Sequence, residues 1–129
     1  MEVRAGWWIL PEPELHLDGP GIPIAPDLAG WRRERMPRLP DEAAIVLAPD
    51  WICEVLSAST EAYDRGPKMD TYARHAVMHA WLVDPEEHTL EAYLNDAGVW
   101  RPLGRWQGDA NVRVARFEAI EIELASRWA

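Results

Sequence analysis

The sequence predicts a mixed α/β (α+β) fold, a mixed β-sheet with a helix after its central strand and a C-terminal β-meander. Three observations predict it. The run Trp51-Ile52-Cys53-Glu54-Val55-Leu56 is apolar on both faces except for one residue, as in a central strand covered on both sides. Gly66-Pro67 suits a helix start, because proline fits the first helical position. Residues 89–94 and 99–106 flank Asn95-Asp96-Ala97-Gly98 in the manner of a hairpin.

Taken in order, residues 6–17 read as one or two extended pieces broken by Pro11 and Pro13. Residues 18–23 are a turn rich in Gly and Pro. Residues 24–31 form a second extended run, entered through Pro26-Asp27. Residues 32–44 are charged, contain Pro37 and Pro40, and read as a loop. After the strand 51–56 comes a loop over 57–65 and then the helix, ending at His75 or Ala76. Met69, Ala73, Ala76 and Val77 make its apolar stripe. Residues 79–83 are another buried strand, closed by Asp84-Pro85. Beyond the hairpin, 111–117 reads as a strand, and 118–128 allows a strand followed by a helical turn.

At 129 residues the chain is expected to be one domain with one modest core. Its single cysteine, Cys53, allows no internal disulfide and suits a cytoplasmic protein. No segment approaches the ~20 apolar residues of a membrane span, and the run 7–10 is too short for a signal peptide. The net charge of −9 argues against broad non-specific nucleic-acid binding, although acidic site residues repel DNA only until a divalent cation neutralises them. Arg32, Arg33, Arg35 and Arg38 form a local basic cluster, read first as a solvated loop. The eight tryptophans are scattered, which favours core filling over a stacking platform.

Glu54 is the anomaly. Ile52 and Leu56 share its face, and burying an unpaired carboxylate costs several kcal/mol, so it needs a metal or a buried Arg or Lys. Asp50 is too far along the strand, at ~13 Å, to share one cation with it. Asp27 opens the preceding strand and can lie across the sheet, at ~5 Å. Asp27, Glu54 and the Val55 carbonyl supply the oxygen ligands that a hard divalent cation such as Mg²⁺ or Mn²⁺ takes. Asp64, Lys68 and Tyr72 follow at spacings of four, and Lys68 beside a metal can orient or activate a water. His16, His75, His79 and His88 make no zinc pattern, and no Gly-rich phosphate loop occurs.

Pro26-Asp27, Glu54-Val55-Leu56-Ser57, Asp64-x-x-x-Lys68-x-x-x-Tyr72 and Ala80-Trp81-Leu82-Val83-Asp84-Pro85 together resemble the bacterial Uma-two-type restriction endonuclease family of the PD-(D/E)xK nuclease superfamily. The resemblance spans roughly residues 6–125. It implies a restriction-endonuclease-like sheet and Mg²⁺-dependent hydrolysis of nucleic-acid phosphodiesters, with DNA the expected substrate. Asp27, Glu54 and Lys68 would be the catalytic residues, and Asp27, Glu54 and Val55 would hold the metal. Leu56 stands where the superfamily often has its lysine, and Lys68 matches the family's displaced position on the helix. The family usually has helices and a first strand ahead of this point, so the chain is expected to be N-terminally shortened. Trp7, Trp8, Ile9 and Leu10 would then be an exposed sticky surface, covered in a homodimer or higher homo-oligomer. The alternative is a catalytically inactive nuclease fold serving assembly or interaction.

Overall fold

The computed structural model describes residues 2–4, 6–18, 22–41 and 44–107. Nine strands occur among them: β1 (Glu2–Arg4), β2 (Trp7–Pro11), β3 (Glu14–Leu15), β4 (Leu28–Arg32), β5 (Ala44–Ile45), β6 (Trp51–Val55), β7 (His79–Asp84), β8 (Thr89–Asp96) and β9 (Val99–Gln107). Seven form one mixed sheet in the order β1-β2-β4-β6-β7-β8-β9, and β3 with β5 makes a small parallel pair. Every neighbouring pair of the large sheet is antiparallel except β6 and β7. A parallel pair needs a crossover, and the helical stretch between them supplies it. The predicted mixed sheet, with a helix after the central strand and a β-meander beyond, is the fold observed.

The period of two sorts the core onto two faces. Trp7, Ile9, Leu28, Trp51, Cys53, Trp81 and Val83 pack together on one. Ala29, Trp31, Ile52, Leu56, Ala80 and Leu82 lie on the other, against Met69, Tyr72 and Val77 from the helical side. Asp27 and Glu54 follow this second face by alternation. Four of the tryptophans serve as core filling among the described residues: Trp7, Trp31, Trp51 and Trp81 are buried, with Trp51 and Trp81 edge to face at 5.3 Å.

Several expectations are corrected. The helical stretch begins at Glu61, inside the expected loop, as α1 (Glu61–Tyr63), a π turn (Asp64–Lys68) and α2 (Met69–Arg74). Pro67 therefore sits within a helix rather than at its start. A proline ring clashes with the carbonyl four residues back, and the wider π turn relieves that clash. Ala76 is exposed and in the left-handed region at φ 61°, so Tyr72 takes its place on the buried stripe. The strand expected from residue 24 begins at Leu28, and Ile24 makes only a bridge to Leu15. Strands β1 and β5 were not anticipated.

The expected sticky surface is largely covered by the chain itself. Trp7 and Ile9 are buried, Trp8 and Leu10 are half-buried, and β1 pairs along the outer side of β2. The argument for a homo-oligomer from those four residues loses its basis. The hairpin matches expectation and is tighter: Ala97 and Gly98, at φ 53° and 89°, form the two-residue loop between paired Asp96 and Val99. The expected strand 111–117 and the segment 118–128 lie outside the described residues.

Candidate active site

The site lies near the C-terminal end of β6, on the face the helical stretch covers. Antiparallel pairing of β4 and β6 aligns Leu28 with Cys53, and one residue further along the register Asp27 stands opposite Glu54. The backbone N–H of Asp27 donates to Glu54 Oε1 at 3.2 Å, and the Val55 N–H donates to Asp27 Oδ2 at 2.6 Å. Val55 thus joins the group through its amide. Asp27 Oδ1 accepts no hydrogen bond among the described residues.

The helical stretch brings the cation. Lys68 Nζ lies 2.7 Å from Glu54 Oε2, 3.1 Å from the Ala25 carbonyl and 3.6 Å from Asp64 Oδ1. The ammonium thus donates to the Ala25 carbonyl, forms a close ion pair with Glu54 and sits at longer range beside Asp64. Tyr72, one turn on and fully buried, donates its hydroxyl to the same Glu54 Oε2 at 2.7 Å. Asp64 and Lys68 are both buried within the π turn. Arg65 fastens the turn to the sheet with a bidentate pair to Glu91 on β8 at 3.0 and 2.7 Å, plus Glu61 at 2.6 Å. Glu91, chiefly through Arg65, is held below the usual carboxylate range.

Glu54 is 1% exposed. Burial pushes its carboxyl up to about 7, against the pull of Lys68 and Tyr72 in the other direction. Burial pulls the Lys68 ammonium down, and Glu54, joined by Asp64 and Asp27, more than compensates, so its pKa ends above the ordinary lysine value. Burial, then the charge of Glu54, raises the Tyr72 phenol, which stays a neutral donor.

The donor set fits a hard divalent cation. Asp27, Glu54 and Asp64 are three carboxyls around one ammonium, an excess of acid in a partly dry site. Glu54 Oε1 carries only the long bond from Asp27, and Asp27 Oδ1 none. No group of three or more His, Cys, Asp or Glu that could hold a metal occurs among the described residues. Mg²⁺ keeps several waters and takes one or two carboxylates plus substrate phosphate oxygens, so two carboxylates are the number it would ask of this chain.

The structure thus brings Asp27, Glu54, Val55 and Lys68 together from three segments. The expected rival partner for Glu54, a buried Lys or Arg, is Lys68 itself. Sequence reasoning gave Tyr72 and Asp64 a spacing but no partners; the row of fours from Asp64 to Tyr72 was the available signal. Lys68 is also not in a first helical turn, as Gly66-Pro67 suggested, but mid-stretch. The basic cluster stands apart: Arg32 and Arg33 lie over Trp7 and Trp8 at 4.8 and 4.5 Å, and Arg35 pairs with Asp50 at 2.9 Å.

Among known proteins, the profile of the family described as "Putative restriction endonuclease" (Uma2) matches residues 2–125. No curated protein matches the chain. The fold is similar to the crystal structure of a "putative nuclease belonging to DUF820" from Anabaena variabilis, with a TM-score of 0.70 and 21% identity, over 96% of this chain and 70% of that one. No helix among the described residues is long and apolar enough to cross a membrane.

Proposed function

Because the chain belongs to the family described as "Putative restriction endonuclease", we propose that it is a divalent-cation-dependent endonuclease that hydrolyses phosphodiester bonds of DNA. The observation that carries this reading is the meeting of Asp27 and Glu54 across β4 and β6, with the Lys68 ammonium 2.7 Å from Glu54. Asp27 Oδ1, Glu54 Oε1 and the Val55 carbonyl would hold Mg²⁺ or Mn²⁺. When bound, the cation supplies Lewis acidity and neutralises the acidic site toward a phosphate.

The chain's own residues do the rest. Lys68 stays charged beside Glu54, so its work is electrostatic: it orients the attacking water or stabilises charge developing on the phosphate oxygens. The Val55 N–H fixes the Asp27 carboxylate through Oδ2, and its other oxygen carries no hydrogen bond among the described residues. All four groups come from one chain, so this chemistry needs no second copy. A reducing cytoplasm suits the single, buried Cys53.

The test is cleavage of supercoiled plasmid, linear duplex DNA and single-stranded RNA with Mg²⁺ or Mn²⁺, against chelator. The parent is expected to nick or cut DNA only with the cation. Asp27→Asn, Glu54→Gln and Lys68→Met should each cost about a hundredfold or more while the chain stays folded by circular dichroism. A folded parent that cuts neither nucleic acid would hand the fold to the inactive assembly reading.

A further inference from the structure

We propose that Tyr72 is a positioning residue, whose hydroxyl sets which oxygen of Glu54 faces the cation. This rests on the reading of Asp27 and Glu54 as the cation's ligands. Glu54 has two chemically equivalent oxygens, and the structure treats them unequally. Oε2 receives the Tyr72 hydroxyl at 2.7 Å and the Lys68 ammonium at 2.7 Å, both from the helical stretch. Oε1 receives only the Asp27 N–H, at 3.2 Å, from the strand side. Two short bonds on one oxygen and a long one on the other pin the carboxylate plane. Oε1 is thereby turned toward Asp27.

The final torsion of a glutamate is broad and two-fold, so nothing in the side chain itself would hold that plane. Lys68 alone is a poor pin, because its ammonium also serves the Ala25 carbonyl and Asp64. The Tyr72 hydroxyl is a rigid donor, carried on a fully buried ring packed in the helix-side core. It ties the orientation of the ligand to the packing of α2. Partners that orient a metal ligand this way are worth about 10–100-fold in metal affinity.

The experiment is Mn²⁺ binding by electron paramagnetic resonance of the free ion, with the melting temperature of each metal-free chain alongside. Tyr72→Phe keeps the ring and removes the hydroxyl. Binding about tenfold weaker than the parent's, in a chain that still melts cooperatively, supports the inference. Equal Mn²⁺ affinity in parent and Tyr72→Phe overturns it and leaves the Asp27–Glu54 site standing. A parent that binds no Mn²⁺ overturns the site, and the inference with it. Should Tyr72→Phe fail to fold, the parent labelled with 3-fluorotyrosine carries the test. The Tyr72 fluorine resonance is expected to move on Mg²⁺ titration in the parent and stay still in Asp27→Asn; no movement in the parent at a Mg²⁺ concentration that protects it against melting overturns the inference.

Discussion

A carboxyl raised by burial leaves a signature in both stability and binding. An ordinary glutamate titrates near 4.5, and burial pushes Glu54 up to about 7 in the fold. Between those values the unfolded chain releases the proton and the folded chain keeps it. The stability this group contributes is therefore full below about pH 4.5 and is lost as pH rises through about 7. In chelator, the parent should lose stability relative to Glu54→Gln across that window, with a constant difference above it; thermal melts of both chains at half-unit pH steps check this. A difference that does not change with pH would show that Glu54 is not buried as described. Cation binding must expel the same proton, so Mn²⁺ affinity should rise up to tenfold per pH unit below about 7 and level off above. Glu54 itself was legible in the sequence, since a single charge in an apolar strand has few explanations. The hydroxyl that fixes it was not. A hydrogen bond between Tyr72 and Glu54 depends on how a helix rotates against a sheet, which spacing alone does not give.

At the scale of elements, strands were read more easily than the helix that serves them. The run Trp51–Val55 and the hairpin carry their own signals, a continuous apolar stretch and a two-residue turn. The helical stretch hides its start, because Gly66 and Pro67 stand as breakers in its middle. The π turn absorbs them, and in doing so buries Lys68 against Glu54. Two glycines separate what is tolerated from what is required. Gly66 has nothing within 4 Å of where a Cβ would lie, and Gly66→Ala should stabilise the chain by about 0.5–1 kcal/mol through helix propensity and a less flexible unfolded state. Gly30 lies in β4 between β2 and β6, and a Cβ there would meet Ile9 Cδ1 at 2.9 Å and the rings of Trp51 and Trp7 at 3.1 Å. Gly30→Ala should cost about 1–3 kcal/mol, because indole rings packed on both sides cannot retreat. Urea titrations measure both. A Gly66→Ala chain weaker than the parent would mean that the π turn needs the glycine's freedom.

At the scale of the whole molecule, the question is how a chain of net charge −9 approaches a polyanion. The candidate site adds to the difficulty, with Asp27, Glu54 and Asp64 set around Lys68. The basic cluster does not relieve it. Arg32, at the far end of β4, is five residues from Asp27, roughly 16 Å away at strand spacing, and Arg32, Arg33 and Arg35 are engaged with Trp7, Trp8 and Asp50. Association with DNA should therefore depend on the divalent cation more than on counterion release. We expect duplex DNA to go unbound in chelator near physiological ionic strength, and to bind with Mg²⁺ in a manner lost in Asp27→Asn. Each phosphate neutralised by Lys or Arg contributes about −0.9 to the slope of log affinity against log salt. At fixed Mg²⁺, with Lys68 the cation at the site, a monovalent-salt titration should give a shallow slope, on the order of −1 to −3. Fluorescence anisotropy of a labelled duplex reads both. A slope near −6 or steeper, unchanged in Asp27→Asn, would move the nucleic-acid surface to the arginine end of β4 and away from Glu54. Arg33→Ala would then weaken binding, whereas docking at the Asp27 end leaves Arg33→Ala equal to the parent.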